Sequence, residues 1–479
     1  MKNAKPSNLI RKSLLTVLSA AVLASVPAKA DTVRYLPHAK NAIAQYYLDL
    51  KSAKKSIDMT YFIFDPCSVV GRIVIDLASQ KAKEGVRVRF LIDASNQNPE
   101  VRGQFTTMLN SRGIEIRYFN ELVFTEAIDP LKQDINTNFR THAKITLIDG
   151  ERYITGGRNI ADEYFSLGPN LNFVDRDARV EGPSAQTAVK YFDELWNSKY
   201  SFTEKKSTVA AARDYEVGCF GPQTTNDNHI REPKVKAFLE HNAEALVANE
   251  PLRECADVSY HQDNAEFRET LYTIVKYWPL LDPMKTKSRL EMKRATKTAL
   301  EFVSDTKDTL YIENWAYIPS WSIEEAMNRL KKDKKKIYVI TNAIGDVGDL
   351  TVAILDARAK DNVGYQRIFP LSQHGSLSDR WEFTPNSPKL EFMLHSKVWM
   401  SDKENAFVSS LNMDPRSYHT NVETGVLVKN CPAFAGDVFR TFKQLMTVSR
   451  ADRDCEKCHK VPEIKFEHRY KSWLVREFL

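Results

Sequence analysis

One short pattern occurs twice in the sequence and constrains the fold more than any other feature. Each copy reads His, any residue, Lys, four further residues and Asp, and an Asn follows each His at the same distance. The residues concerned are His142, Lys144, Asp149 and Asn159 in the first copy, and His395, Lys397, Asp402 and Asn412 in the second. A repeat of this kind predicts two structurally similar units within one chain.

The sequence around the two copies supports the same division. The segments 51–64 and 305–318 each run from a polar, helix-like end into an aromatic strand, and the two strands, at Ser56 and Thr309, begin at the same distance ahead of the motif His. Further strand-like runs alternate with helical patterns, which predicts an α/β fold with two similar α-β-α sandwich halves. Because 479 residues exceed the size of an ordinary single core, we expect two compact units. Because the motif is repeated, we expect these halves to pack about a pseudo-twofold axis around one shared site.

The predicted boundaries divide the chain into four parts. Residues 1–30 form a signal peptide, residues 31–205 form the N-terminal half with the first motif, residues 206–297 form a linker with its own helices, and residues 298–479 form the C-terminal half with the second motif. The linker is richer in charge than its neighbours. Its helical patterns lie at 234–247 and 267–278.

The first thirty residues have the composition of an export signal. Basic residues precede an apolar run at 14–26, and the small residues Ala28 and Ala30 follow it. This order predicts a secretory signal peptide cleaved after Ala30. The alternative is an uncleaved anchor, but the apolar run is shorter than the roughly 20 residues needed to span a bilayer. We therefore expect a periplasmic or secreted protein, with association with a membrane left open.

Removing the signal changes the net charge of the protein. The formal net charge of +6 falls to +1, because residues 1–30 contain five Lys or Arg and no acidic residue. A nearly neutral mature chain disfavours nucleic acid as the partner. The dense basic run at 331–336 has the pattern of a solvated helix end.

Six cysteines follow the predicted signal, and an even number in an oxidising compartment favours disulfides. Cys219 and Cys255 lie in the same linker and are a candidate pair. The alternative for these two residues is a pair of buried free thiols.

A separate cysteine pattern lies near the C-terminus. Cys455, Cys458 and His459 match the CxxCH pattern of c-type haem attachment. A haem needs an apolar pocket, whereas the surrounding segment is charged. An ordinary disulfide is therefore favoured over haem, and also over a zinc site formed with His468.

The spacing within each motif places reactive groups together. On a strand, residues i and i+2 face the same way, so the His and the Lys of each motif project side by side. The motif acids, Asp149 and Asp402, have the opposite parity, and we expect them to brace the strand ends rather than join the reacting group. Each motif Asn follows small residues, where a tight turn could return its amide to the same point.

Two such halves would assemble two imidazoles, two ammonium groups and two amides around one point. These donors suit a tetrahedral phosphoryl group, whose oxygens they neutralise without a metal ion. One His can attack phosphorus while the other protonates the departing oxygen. The repeat is therefore explained if the reaction needs a nucleophile and an acid on opposite sides of one phosphate.

Both copies resemble the HKD motifs of the phospholipase D superfamily. The surrounding residues resemble more narrowly the bacterial cardiolipin synthases and related phospholipase D-like proteins, at HAKITLIDG, GGRNIADEYF and DRDARVEGP in the first half and at SLNMDPRSYHTNVETGV in the second. The resemblance covers most of residues 34–200 and 300–447. It implies the phospholipase D fold, with no cofactor and no bound metal.

The resemblance also implies a role for each motif residue. His142 would be the nucleophile that forms a phosphohistidine, and His395 the general acid that later activates the acceptor. The phosphate would be held by Lys144, Lys397, Asn159 and Asn412. An acid after each motif would orient a His, and Asp177 and Glu423 match that position, although which His each acid serves stays open. The sequence departs from the family at Ser409, where Gly is usual.

The superfamily includes lipid enzymes and nucleases, so the substrate is a further question. The matching segments, the near-neutral charge and the export signal favour phospholipid head groups at a membrane surface, with hydrolysis by water and transfer to an alcohol both open. The aromatic residues at 315–321 could line an apolar mouth or belong to the core. The alternatives are an exported endonuclease and a catalytically inactive lipid-binding effector.

Overall fold

A computed structural model of the protein describes residues 30–121, 136–221, 227–269, 290–342, 366–370 and 391–451. Three predicted features fall outside these ranges: the signal peptide up to residue 29, the CxxCH segment, and most of the helix expected at 267–278. Within the described ranges, no helix has the length and apolarity needed to cross a bilayer.

The first half begins with a strand directly after the predicted cleavage point. Its strands are β1 (Asp31–Leu36), β2 (Ser56–Tyr61), β3 (Arg87–Asp93), β4 (Glu115–Phe119), β5 (Ile145–Ile148), β6 (Arg152–Gly156), β7 (Leu171–Val174), β8 (Asp177–Glu181) and β9 (Ser201–Phe202). Its helices are α1 (Ala39–Lys51), α2 (Val69–Lys83), α3 (Pro99–Ser111) and α4 (Ser184–Trp196).

The middle segment and the second half contain the remaining elements. The middle segment has α5 (Val209–Phe220), α6 (Asn228–Ala248), β10 (Leu252–Cys255) and β11 (Asp257–Gln262). The strands of the second half are β12 (Thr309–Asn314), β13 (Lys336–Ile340), β14 (Gln366–Pro370), β15 (Glu391–Leu394), β16 (Lys397–Ser401), β17 (Asn405–Ser409), β18 (Thr424–Lys429) and β19 (Ser449–Ala451). Its helices are α7 (Arg294–Ser304), α8 (Trp321–Lys332), α9 (Pro415–His419) and α10 (Pro432–Thr447).

Local sequence explains where several helices start. The Ser68 side chain accepts a hydrogen bond from the N–H of Gly71 and caps α2. Asn98 caps α3 in the same way, with Pro99 in the first turn. Ser320 caps α8, the counterpart of α2 in the second half. These caps end the preceding loops and turn the chain back over each sheet.

The described strands form two large mixed sheets and one small sheet. The strand orders are β10-β1-β8-β6-β5-β2-β3-β4-β9 in the first sheet and β11-β18-β17-β16-β12-β13-β14-β19 in the second. In the first, β2 pairs in parallel with β3 and antiparallel with β5; in the second, β12 pairs in the same ways with β13 and β16. The predicted α/β fold with two similar halves is confirmed. The small sheet pairs β7 with β15 and so joins the halves.

The two large sheets share one hydrophobic core. It contains Ile145 and Leu147 of β5 together with Val398 and Met400 of β16. One separate core lies beneath α1, α2 and α3 of the first half and α6 of the middle segment, and another lies beneath α7 and α8 of the second half. Burial of the shared apolar surface stabilises the docking of one half on the other.

The segment between the halves takes part in both sheets. β10 pairs with β1 at the edge of the first sheet, and β11 pairs with β18 at the edge of the second. The helix predicted at 234–247 lies within α6. The sequence patterns therefore predicted a helix of this segment but not its two strands.

The cysteines of the middle segment do not pair with each other. Among the described residues the disulfides are Cys67–Cys219 and Cys255–Cys431, so the candidate pair Cys219–Cys255 is wrong. The 21-residue helix α6 separates the two cysteines, and each instead meets a cysteine of one half. The disulfides therefore tie the middle segment to both halves.

Candidate active site

Each motif His lies just before a strand and is held by the backbone of the other half. His142 precedes β5, and its N–H donates to the carbonyl of Val422 at 2.9 Å. His395 precedes β16, and its N–H donates to the carbonyl of Val174 at 2.9 Å. The halves therefore exchange equivalent hydrogen bonds, as a pseudo-twofold arrangement requires.

The ring of each His also contacts a carboxylate from the opposite half. His142 Nδ1 lies 2.9 Å from Glu423 Oε2, and His395 Nδ1 lies 2.6 Å from Asp175 Oδ2. Both carboxylates are fully buried. A carboxylate beside Nδ1 favours the tautomer with the proton there, which leaves Nε2 as the nitrogen that can react.

Asp177, which was predicted to orient a His, contacts neither His in the described structure. Its carboxylate lies 3.2 Å from Arg158 Nη1 and accepts from the Arg158 N–H at 3.2 Å. Asp175 contacts a His instead. The two acids share strand parity, so spacing did not distinguish them. The available signal was the Val that directly precedes both Asp175 and Glu423.

The two motif lysines are buried beside the histidines. Lys144 Nζ donates to the carbonyl of His142 at 2.8 Å. Lys397 Nζ donates to the carbonyl of His395 and lies 2.9 and 3.1 Å from its ring nitrogens. Burial lowers the pKa of Lys144 to about 7 and that of Lys397 to about 8. Among the described residues, no group of His, Cys, Asp or Glu could hold a metal ion.

Burial also disfavours the charged form of both imidazoles. The pKa of His142 is lowered well below its usual range by burial and then by the charges of Lys144 and Lys397. Burial and Lys397 lower the pKa of His395 to about 3, against the opposing charge of Asp175. The neutral imidazole that a nucleophile requires is thus favoured at His142 over a wide pH range.

The two motif asparagines are buried in the turns after β6 and β17. Asn159 Oδ1 accepts from the N–H of Ile63 at 3.1 Å. Asn412 donates its N–H to Ser417 Oγ at 3.2 Å, while its Oδ1 has no hydrogen-bond partner in the described part of the chain. Buried polar atoms are nearly always satisfied, so an unpartnered amide is consistent with a site that a ligand completes.

Small residues after β6 and β17 bring the backbone against the two carboxylates. A Cβ on Gly157 would come within 2.0 Å of Asp175 Oδ1, so only glycine fits there. Its counterpart Ser410 donates its hydroxyl to Glu423 Oε2. Ser409, where the family usually has Gly, donates to the carbonyl of the motif Lys at 3.3 Å. The hydroxyls of the second half therefore have partners at the site.

Asp149 and Asp402 lie at the ends of the motif strands, away from the histidines in sequence. Both have positive φ angles, 57° and 56° respectively. Asp149 accepts from the N–H groups of Lys54, Lys55 and Ser56, and Asp402 from those of Lys307, Asp308 and Thr309. These contacts hold the start of β2 against β5 and the start of β12 against β16.

Aromatic rings flank the two imidazoles. Phe62 lies 5.4 Å from His142 and Trp315 lies 6.3 Å from His395, measured between ring centroids. Both aromatic residues follow equivalent strands, β2 and β12, and both are half-buried. Trp315 thus lies at the site, whereas Tyr317 of the same aromatic segment belongs to the core. Phe62 was not among the predicted site residues, although its place in the repeat matches that of Trp315.

Two similar sheets, each with a buried His and Lys completed by a carboxylate from the other half, define a phospholipase D-like protein. The sequence matches the family described as cardiolipin synthase, PLD-like domain, over residues 47–196 and 300–446. These two matches contain the two motifs and together span more than half of the chain. The chain belongs to this family.

Individual relatives agree with this assignment. Cardiolipin synthase C of Escherichia coli is 23% identical over 405 residues, which cover 81% of this chain and 80% of that protein. Cardiolipin synthase 1 of Bacillus cereus is 33% identical over 168 residues, 34% of this chain and 31% of that protein. The structure of phosphatidylserine synthase from Haemophilus influenzae superposes with a TM-score of 0.58 at 12% identity, covering 93% of this chain and 95% of that one. This last likeness shows the fold.

Proposed function

We propose that this protein is a phospholipase D-type phosphodiesterase or phosphatidyltransferase that acts on phospholipid head groups through a phosphohistidine. The observation that carries the proposal is the pair of buried His–carboxylate contacts, each made between the two halves. They occupy Nδ1 of both imidazoles and leave Nε2 as the reacting nitrogen, which in His395 also lies 3.1 Å from Lys397 Nζ. A reaction with one nucleophile and one acid requires such a pair.

In the first step we assign His142 as the nucleophile, because its motif resembles the first motif of the superfamily. Its Nε2 attacks phosphorus, the bond from phosphorus to the head-group oxygen breaks, and His395 gives a proton to that oxygen. Glu423 stabilises the positive charge that His142 gains. The bound anionic phosphodiester raises the pKa of His395, so that this residue can carry the proton.

In the second step the acceptor resolves the phosphohistidine. A water or alcohol hydroxyl gives its proton to His395, its oxygen bonds to phosphorus, and the bond from phosphorus to His142 breaks. The phosphoryl oxygens are held throughout by Lys144, Lys397, Asn159 and Asn412. The pocket decides between hydrolysis and transfer through how well it binds the alcohol and excludes water.

Three observations support a phospholipid substrate met at a membrane surface. The relatives reported above are named cardiolipin synthases. The net charge after residue 30 is close to neutral, which gives no general attraction for nucleic acid. The half-buried rings of Phe62 and Trp315 offer apolar contact beside the phosphate site.

Export is supported by the N-terminal segment and by the two disulfides, which persist in oxidising compartments.

The test incubates residues 31–479 with mixed phospholipid vesicles and glycerol, with no added metal, and identifies the lipid products by mass spectrometry. Phosphatidic acid alone identifies a hydrolase, and cardiolipin or another exchanged head group identifies a transferase. His142→Gln should give neither product, and the phosphohistidine trapped from the wild-type protein should be absent from it.

Two outcomes would contradict the proposal. Cleavage of plasmid DNA in the same buffer, without any lipid product, would make the protein a nuclease. A His142→Gln protein that equals the wild type in every turnover assay would make it a binding protein.

A further inference from the structure

A closed ring of contacts includes His395, the proposed general acid. His395 Nδ1 lies 2.6 Å from Asp175 Oδ2. Arg176 follows Asp175 in sequence, and its Nε lies 3.3 Å from Glu313 Oε1, an ion pair in which Nε does not make a hydrogen bond within the described structure. Ser396 follows His395 in sequence, and its hydroxyl donates to the same Glu313 oxygen. Residues of both halves therefore form a ring that starts and ends at His395.

Every member of this ring is buried. The side chains of Arg176 and Glu313 are 6% and 2% exposed, and Ser396 is fully buried. Arg176 Nη1 also donates to the carbonyls of Pro37 at 2.7 Å and Asp175 at 3.2 Å, and the Arg176 N–H donates to Asp175 Oδ1 at 2.8 Å. A buried ion pair is often no more stabilising than a hydrophobic replacement, so a contribution to stability does not by itself explain why Arg176 and Glu313 are buried together.

The other half lacks this ring. Thr60 pairs across the sheet with Ile145, three residues after His142. Glu313 pairs with Val398, three residues after His395, so Thr60 and Glu313 occupy corresponding positions. Ala143 corresponds to Ser396 in the same way. The Thr60 hydroxyl is buried with no hydrogen-bond partner among the described residues. No charge pair therefore occupies the corresponding positions beside His142 in the described structure. The carboxylate of its partner Glu423 is instead backed by a different pair, Lys293–Asp263 at 2.6 Å, in which Asp263 accepts the Glu423 N–H at 3.1 Å. The two histidines thus differ in their support.

We infer that Glu313 and Arg176 are positioning residues that fix His395 as the proton donor to the leaving head group. This inference rests on the proposed function, in which His395 is the general acid. Glu313 holds Ser396 on one side and Arg176 on the other, so the imidazole and its carboxylate partner keep their relative position. Misplacing a reacting group by about 1 Å can cost roughly 100-fold in rate.

The basicity of the leaving group separates the positioning of an acid from a general structural effect. Ethanolamine needs a proton on its departing oxygen, whereas p-nitrophenolate departs without one. With Glu313→Gln, which preserves the side-chain shape, head-group release from phosphatidylethanolamine should fall roughly 30- to 100-fold. The rate constant of the pre-steady-state burst of p-nitrophenolate from phosphatidyl-p-nitrophenol should change less than about 3-fold, because that step needs no acid.

Two further variants keep the test decisive. Ser396→Ala should fold, because the corresponding residue of the first half is already Ala143, and it should show the same selectivity with a loss of roughly 3- to 10-fold. Thr60→Val is the matched control at the position of Glu313 in the other half. It removes a hydroxyl that has no described partner, so both rates should stay unchanged.

The outcomes distinguish this inference from the function on which it rests. Equal losses with both substrates, or no loss with either, in Glu313→Gln and Ser396→Ala would overturn the positioning role and leave the proposed function standing. Release of neither leaving group by the wild-type protein would overturn both.

Discussion

Replacing Asp175 with Asn should impair proton donation by His395 while leaving that histidine in place. The Asp175 carboxylate lies 2.6 Å from His395 Nδ1. Asn keeps the size of the side chain but loses the negative charge that opposes the lowering of the His395 pKa, so the imidazolium forms less readily. Its amide can also donate to Nδ1, which favours the tautomer with the proton on the wrong nitrogen.

The size of the effect follows from this contact. A hydrogen bond to a charged group contributes about 1.5–3 kcal/mol, and about 1.36 kcal/mol corresponds to tenfold in rate. Asp175→Asn should therefore lower kcat/KM for phosphatidylethanolamine roughly 10- to 150-fold. The change of tautomer adds to this loss.

Asp177→Asn is the matched control, since Asp177 is equally buried but pairs with Arg158. Breaking this buried pair leaves the guanidinium without its counter-charge and should cost roughly 3–5 kcal/mol of stability. Head-group release is measured well below the Tm of either variant, with Tm taken from calorimetry. Equal activity losses at equal folded fraction, or a fully active Asp175→Asn protein, would refute the assignment of Asp175 to His395.

Three further expectations follow from the structure. As pH rises through about 7 to 8, kcat/KM should fall, because Lys144 and Lys397 lose the protons that hold the phosphate; a pH–rate profile that keeps rising above this range would contradict the assignment. Dithiothreitol should lower the Tm, because a disulfide between residues 152 apart contributes roughly 4–5 kcal/mol. Calorimetry of Cys67→Ser/Cys219→Ser should then show a smaller response to reductant, to which the Cys255–Cys431 disulfide still contributes. Asp149→Ala should reduce the free energy of unfolding by about 1–3 kcal/mol, because three backbone N–H groups lose their acceptor. Denaturant titration measures this loss, and an altered pH–rate profile in that variant would argue against a purely structural role.

The repeat predicted the fold because its strands are central and buried. β2 has no exposed residue, and the aromatic residues at its end and its place ahead of the motif were readable in both halves. The strand β10 was missed, because Leu252–Cys255 is short, mostly exposed and at a sheet edge, where no hydrophobic pattern is needed. The partners of edge strands and cysteines depend on how distant segments meet, which one sequence does not encode locally.

The candidate site was predictable where the repeat reached it. The motif His, Lys and Asn residues were located by their spacing. Glu423 was predicted to orient one of the two histidines, and in the structure it lies beside His142. The segment Asp175-Arg176-Asp177 offers two acids on one strand face. Arg158 takes Asp177, so Asp175 is left to contact His395. The Arg158–Asp177 contact joins residues 19 positions apart in sequence, and the strand spacing gives no sign of it; the one available signal was the Val before Asp175 and Glu423.

On the proposed mechanism, a site assembled from both halves becomes active only when the whole chain has folded. Glu423 reaches His142, and Asp175 reaches His395, only when the two halves dock. On our proposal the chain is exported, and it therefore passes through the same kind of membrane whose lipids it cleaves. A half that folded early would present a histidine without its carboxylate, so the bilayer is protected from premature attack during export.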